Sequence, residues 1–160
     1  MEGSAIAMTQ YMNPSKSCEW GTPQALFDTL NEEFHFLLDA CASKEIAKCP
    51  KYFSQQEDAL LHRWESSTFC NPPYGISLKR WIQKGYDEAR RGCTVVMLLP
   101  ARTDVEWFHR YCFVPGVEIR FIKGRLGFEG IKGRSRAPFP SMIVVFKPPK
   151  VTKSIDRKPV

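Results

Sequence analysis

The six cysteines of this 160-residue chain, at positions 18, 41, 49, 70, 93 and 112, include no C-x-x-C pair, and the three histidines (35, 62 and 109) do not cluster with them. No zinc site and no metal are expected from such spacing. No G-x-x-x-x-G-K-[ST] occurs, so the phosphate cradle of an NTPase is missing. No apolar run approaches the length that spans a bilayer, and the opening stretch MEGSAIAMTQYMNPSKS lacks a basic segment leading into an apolar one. Neither a leader nor a membrane partner is expected. Internal repeats are absent as well.

What is present fits one ordinary globular domain: 43% hydrophobic and 25% charged residues. A chain of this size buries roughly 70% of its unfolded surface and needs neither disulfide nor metal to fold. Several cysteines lie in apolar runs (Phe69-Cys70, Cys93-Thr94-Val95) and read as small buried hydrophobes in a reducing compartment. Basic residues outnumber acidic ones 23 to 17, for a net charge of +6 and a pI near 9.1. That excess favours a polyanionic partner, with a merely solvated basic surface as the competing reading.

Residues 1–18 are polar without a sustained period and read as an arm. Thr22 and Pro23 open a helix, Thr as N-cap and Pro in the first helical position, with Leu26, Phe27, Leu30 and Phe34 on its buried face. Phe36–Cys41 is a short buried strand ending in Asp39-Ala40-Cys41, and 42–50 a loop. Thr68–Cys70 is a second strand, halted by two prolines. Residues 77–91 form an amphipathic helix stopped by Gly92, and Thr94–Leu99 a central parallel strand covered on both faces. Thr103 or Asp104 caps a helix running to about Tyr111. Val117–Lys123 and Met142–Phe146 close the domain as strands, with the Gly/Arg/Pro-rich stretch 124–140 as a loop between them. Residues 148–160 are a basic tail. Strands alternate with helices, so the class is α/β with a mainly parallel sheet. The last two strands lack an intervening helix, which makes the final one antiparallel. Trp81 and Trp107 read as core.

Asn71-Pro72-Pro73-Tyr74 carries the chemistry. It follows a buried strand, so it lies at the carboxyl edge of the sheet, where open α/β folds bind ligands. The prolines stiffen the backbone and remove two N–H groups, leaving carbonyls available to outside donors. An Asn oxygen and a fixed carbonyl make two acceptors suited to an amino group with two N–H bonds, and Tyr supplies a flat face for a base. A strand-ending turn is the competing reading.

In the combination Trp20-Gly-Thr-Pro23, Phe36-Leu-Leu-Asp-Ala-Cys-Ala-Ser43, Asn71-Pro-Pro-Tyr74, Leu99-Pro-Ala-Arg-Thr-Asp104 and Gly124-Arg-Leu-Gly-Phe128, the chain resembles the phage-type, Dam-like DNA N6-adenine methyltransferases over roughly residues 19–147. The resemblance implies an abbreviated Rossmann-like, S-adenosylmethionine-dependent methyltransferase fold forming a single domain at 19–147. It implies that Asn71 and the Pro72 carbonyl bind the target amino group of an adenine flipped out of double-stranded DNA, with Pro73 and Tyr74 completing the catalytic turn. Trp20, Thr22, Pro23, Asp39, Cys41, Ala42 and Asp58 become the expected cofactor-binding residues. A simple N-cap, a strand-end cap and a solvated helix charge are the competing readings of Thr22, Asp39 and Asp58. A bacterial cytoplasmic location follows if the chain is phage-encoded, as monomer or homodimer.

Two departures stand out. The stretch Ala40-Cys-Ala-Ser43 has no glycine where the resembling family has a glycine-rich turn, and only about twenty residues separate Asp39 from Asp58, too few for a full crossover. No room exists for a separate DNA-reading domain, so DNA contacts are expected from Lys123, Arg125, Lys132, Arg134 and Arg136 in the basic loop and from Arg102 after the central strand. The alternatives are a non-catalytic DNA- or nucleotide-binding module on the same fold, and an amino-methyltransferase acting on cytosine N4 or RNA.

Overall fold

The computed structural model describes residues 20–130 and 133–150, with the side chains of 131–135 outside the description. The expected N-terminal arm and most of the basic tail therefore lie outside the described residues. A central five-stranded sheet has the spatial order β2-β3-β4-β8-β5, built from β2 (Leu38–Asp39), β3 (Ser67–Cys70), β4 (Thr94–Pro100), β5 (Val117–Phe121) and β8 (Ser141–Phe146). β2, β3 and β4 pair in parallel, and β8 runs antiparallel between β4 and β5. The class is thus α/β, Rossmann-like, with one antiparallel strand that is the last in the chain.

β4 is the hub. Its apolar run has β3 on one side and β8 on the other, and Val95 to Leu99 are fully buried. On one sheet face, Met97, Leu99 and Val144 pack under helix α2 (Leu78–Arg90), together with Trp81 and Trp107, which are core residues. On the other face, Val96, Leu98 and Ile143 pack with Phe27 and Leu30 of helix α1 (Gln24–Phe34). An apolar strand buried on both faces is what a central parallel position requires.

Three elements differ from the sequence-based expectation. First, α1 begins at Gln24 with Pro23 as its cap and no side-chain cap. Thr22 does not cap it, because its hydroxyl has another partner, described below. Second, the stretch 124–140 is not a loop. It holds a hairpin, β6 (Gly127–Gly130) and β7 (Gly133–Arg136), and β6 pairs antiparallel with β1 (Trp20–Gly21) to form a second, three-stranded sheet. A Cβ on Gly21 would come within 2.8 Å of the Glu129 carbonyl, so only glycine lets β1 approach β6 this closely. Third, the helix expected to reach Tyr111 is present over 106–112, but no side-chain bond from Thr103 or Asp104 caps it. The turn there is wide, at Phe108–Cys112, closed by Phe113 N–H donating to the Phe108 carbonyl at 2.7 Å.

One buried charge pins α2 to the chain before β3. The Glu88 carboxylate is 1% exposed and accepts from Lys84 (2.5 Å), Arg91 (3.1 Å) and the Trp64 backbone N–H (3.4 Å). Burial opposes its ionisation, but the bonds from Lys84, Trp64 and Arg91 outweigh it and hold the carboxyl below the ordinary glutamate range. Glu88→Ala leaves Lys84 and the Trp64 N–H without this acceptor, and a loss of about 3 kcal/mol is expected in chemical denaturation at neutral pH. A depressed pKa stabilises above the unfolded value, so the gap between wild type and variant should close as pH falls below about 4.

Candidate active site

The parallel strands β2, β3 and β4 bring their carboxyl ends to one edge, which collects Asp39, the turn Asn71–Tyr74, and Ala101 with Arg102. The second sheet meets this edge at Asn71. Asn71 Nδ2 donates to the Trp20 carbonyl at 3.0 Å and to the Thr22 hydroxyl at 3.2 Å. A carbonyl can only accept, so the amide nitrogen must face Trp20, and the orientation of the amide is chemically forced. Both amide hydrogens are thereby spent on the protein. Among the described residues nothing donates to Asn71 Oδ1 or to the Pro72 carbonyl.

Tyr74 is held by its hydroxyl, which donates to the Leu98 carbonyl at 3.0 Å. Burial pushes its phenol far above the ordinary range, so it stays a protonated donor. The ring meets Phe139 edge-on at 5.5 Å and Phe128 at 6.5 Å, and Phe128 in turn meets Trp20 at 5.6 Å. These rings pack Tyr74 against the core cluster that the hairpin joins. Tyr74 is thus oriented by β4.

Asp39, 3% exposed, closes the loop after β2. One carboxylate oxygen accepts from the Cys41 N–H at 3.4 Å and the other from the Lys48 N–H at 3.0 Å, while Asp39 itself is bridged to Tyr52. Cys41 is half-buried and Ala42 buried. The described residues with left-handed backbone other than glycine are His35 and Asp58, so no residue of Ala40–Ser43 has a positive φ. The missing glycines are explained: the Asp39 carboxylate, not a glycine turn, shapes this loop. Asp58, with φ of 47°, accepts from the Leu60 N–H at 3.2 Å and starts the 3₁₀ turn Ala59–Leu61. Asp tolerates that conformation through such a local bond.

A cavity of ≈ 240 Å³ lies beside this loop, lined by Gly21, Glu45, Ile46, Lys48, Glu129 and Gly130. Lys48 Nζ sits 2.8 Å from the Gln24 side-chain oxygen and 3.5 Å from Glu129, and the Glu129 carboxylate accepts from the Gln24 backbone N–H at 3.4 Å. The N-terminus of α1 thus already faces an anion, as its dipole favours. Lys48 and Glu129 are charged residues that sequence reasoning missed. They are distant in the chain and meet only when β6 pairs with β1, so no local signal marks them.

Of the expected DNA contacts, Lys123, Arg125 and Arg136 are exposed and Arg102 is half-buried. Lys132 and the Arg134 side chain fall outside the described residues, although the Arg134 backbone pairs with Glu129 in the hairpin. Among the described residues no three His, Cys, Asp or Glu side chains group as a metal requires, and no helix is long and apolar enough to cross a membrane.

Residues 10–158 match the profile of the family described as DNA N-6-adenine-methyltransferase (Dam). A protein of Escherichia phage T1 named DNA N-6-adenine-methyltransferase is 30% identical over 92 residues, which are 56% of this chain and 38% of that protein. The YfdM protein of Escherichia coli strain K12, named as a candidate methyltransferase, is 34% identical over 64 residues, 35% of this chain and 70% of that one. The match thus spans well under half the length of the phage protein. Among solved structures, a candidate RNA methyltransferase from Pyrococcus horikoshii aligns over 80% of this chain and 61% of its own, with a TM-score of 0.43 and 14% identity.

Burial pushes the Asp39 carboxyl up to about 6, outweighing the N–H bonds from Lys48 and Cys41. A raised pKa favours the folded state below the unfolded value, and that stabilisation is lost as pH rises through the folded one. Measured against Asp39→Asn, wild-type stability should therefore decline between about pH 4 and pH 7, by up to about 3 kcal/mol. A flat difference profile across that window would show that the carboxyl titrates normally.

Proposed function

The chain belongs to the DNA N-6-adenine-methyltransferase (Dam) family, and on that premise we propose that it transfers a methyl group from S-adenosylmethionine to the N6 amino group of an adenine extruded from double-stranded DNA. The observation that carries this reading is the spent Asn71 amide. With both of its hydrogens committed to Trp20 and Thr22, only its oxygen can act on a ligand. Asn71 Oδ1 and the Pro72 carbonyl accept the two N–H bonds of the target amino group. Drawing on both bonds localises the nitrogen lone pair and aims it out of the base plane. Pro73 keeps the turn stiff, and Tyr74, tethered at Leu98, offers its ring to the extruded base.

The residues near the ≈ 240 Å³ cavity fit the amino-acid end of the cofactor. Lys48 suits a carboxylate, and the acids Glu129, Glu45 and Asp39 suit an ammonium. Trp20, Thr22 and Pro23 support one wall; Cys41 and Ala42 allow close approach from the other. Asp58, through the oxygen not engaged by Leu60, would accept from the cofactor's adenine amino group. When bound, S-adenosylmethionine supplies a methyl carbon activated by its sulfonium. Lys123, Arg125, Lys132, Arg134 and Arg136, with Arg102 after β4, would hold the duplex by its phosphates. Such contacts position DNA without reading sequence.

The reading is tested by transfer of a labelled methyl group from S-adenosylmethionine to unmethylated duplex DNA, followed by nucleoside analysis. N6-methyladenine is expected; N4-methylcytosine or labelled RNA would redirect the substrate, and no transfer at all would reject the activity. Asn71→Ala should lower kcat at least about a hundredfold, roughly 3 kcal/mol of transition-state stabilisation, with cofactor affinity by calorimetry nearly unchanged. Tyr74→Ala should depress turnover on duplex more than on single-stranded DNA, because a base already free needs no stacking platform to hold it out.

A further inference from the structure

The catalytic turn is followed at once by an anomaly. Ile76 is 96% exposed, more than any other large hydrophobic side chain among the described residues. A lone exposed apolar residue is ordinary on a protein surface. This one is not at the end of a loose loop. Gly75, with φ of 138°, turns the chain outward, the Leu78 N–H donates back to the Gly75 carbonyl at 3.2 Å, and Arg80 N–H donates to Ser77 at 3.0 Å. Pro72 before it and Leu78 after it are buried. Ile76 is thus a stiff projection: its backbone is anchored at both sides, and its β-branched side chain has little rotamer freedom to lose.

We propose that Ile76 is the wedge that fills the gap left in the duplex when the target base is extruded. The inference rests on the reading of Asn71–Tyr74 as the methyl-transfer turn. If the extruded base lies against Asn71 and Tyr74, its former place in the stack lies beside the chain just after them, and Ile76 is two residues beyond Tyr74. Removing a base from the stack exposes the faces of its neighbours, and an apolar side chain inserted there offsets part of the unstacking cost. A side chain kept out of water by DNA and otherwise nearly fully solvated gains the most from insertion. Its surroundings suit the same occupant. Arg80, exposed on the first turn of α2, stands four residues on, and Lys79 is paired with Glu106 at 2.7 Å, so Arg80 is the cation available to a flanking phosphate. The wedge therefore sits between the base-holding turn and a phosphate contact.

The test uses the full chain with Ile76→Ala and Ile76→Leu on two duplexes: one with the target adenine paired to thymine, the other with it opposite an abasic site, where extrusion costs little. Ile76→Ala should lower kcat/KM on the paired duplex about tenfold and on the abasic duplex less than about twofold, and Ile76→Leu should restore most of the paired-duplex rate. With 2-aminopurine at the target position, the fluorescence rise on saturating binding should be smaller for Ile76→Ala than for wild type. Because the side chain is solvent-exposed, the variants should melt as wild type does. Equal wild-type and Ile76→Ala rates on the paired duplex, or an equal loss on both duplexes, would overturn the wedge. A wild-type enzyme that methylates neither duplex would instead reject the reading of the site on which it rests.

Discussion

The two hydrogen bonds from the Asn71 amide to the Trp20 carbonyl and the Thr22 hydroxyl are the constraint on which the rest of the site depends. They tie the end of β3 in the central sheet to β1 in the small sheet, and so set where the hairpin sits over the carboxyl edge. They also decide the polarity of the turn. An amide free to rotate would offer a donor or an acceptor; this one can offer only an acceptor. The same contact explains why Thr22 does not cap α1, and why Glu129 from the hairpin is the group that meets the first N–H of that helix.

The hairpin is consequently more than a basic flap. Its apolar side, Phe128, packs into the core and meets Tyr74 and Trp20, while its outward positions carry Glu129 against Lys48 and the exposed Arg125 and Arg136 nearby. One element thereby touches the turn proposed for catalysis, the cavity proposed for the cofactor and the surface proposed for DNA. The hairpin can serve all three only if it is rigidly registered, and Gly21 secures that by letting β1 come within contact of the Glu129 backbone.

The absence of glycine after β2 turned out to have a local physical cause rather than a functional one. Where a glycine turn would supply unusual backbone angles, Asp39 supplies hydrogen-bond acceptors: its two oxygens draw in the N–H groups of Cys41 and Lys48, and the loop closes with ordinary dihedrals. The cost is a buried carboxyl whose pKa burial raises to about 6.

By itself the sequence determined the elements whose signal is local. The apolar run at β4, the amphipathic period of α2, the antiparallel last strand and the stiff Asn71–Tyr74 turn at a strand end were all legible, because each follows from periodicity, from proline chemistry or from the lack of a connecting helix. Only the tertiary structure decided what depends on residues far apart in the chain. The stretch after Gly124 reads as a loop because its glycines and arginines give no period of two, yet it becomes strands once Trp20 and Gly21 offer their backbone groups for pairing. Lys48 and Glu129 have no chemical meaning until that pairing brings them together. Asn71 could be recognised as an acceptor of something from its place in the sequence, but which of its two polar atoms faces outward was fixed by a carbonyl fifty-one residues earlier, and hydrogen-bond polarity of that kind is a property of the folded chain alone.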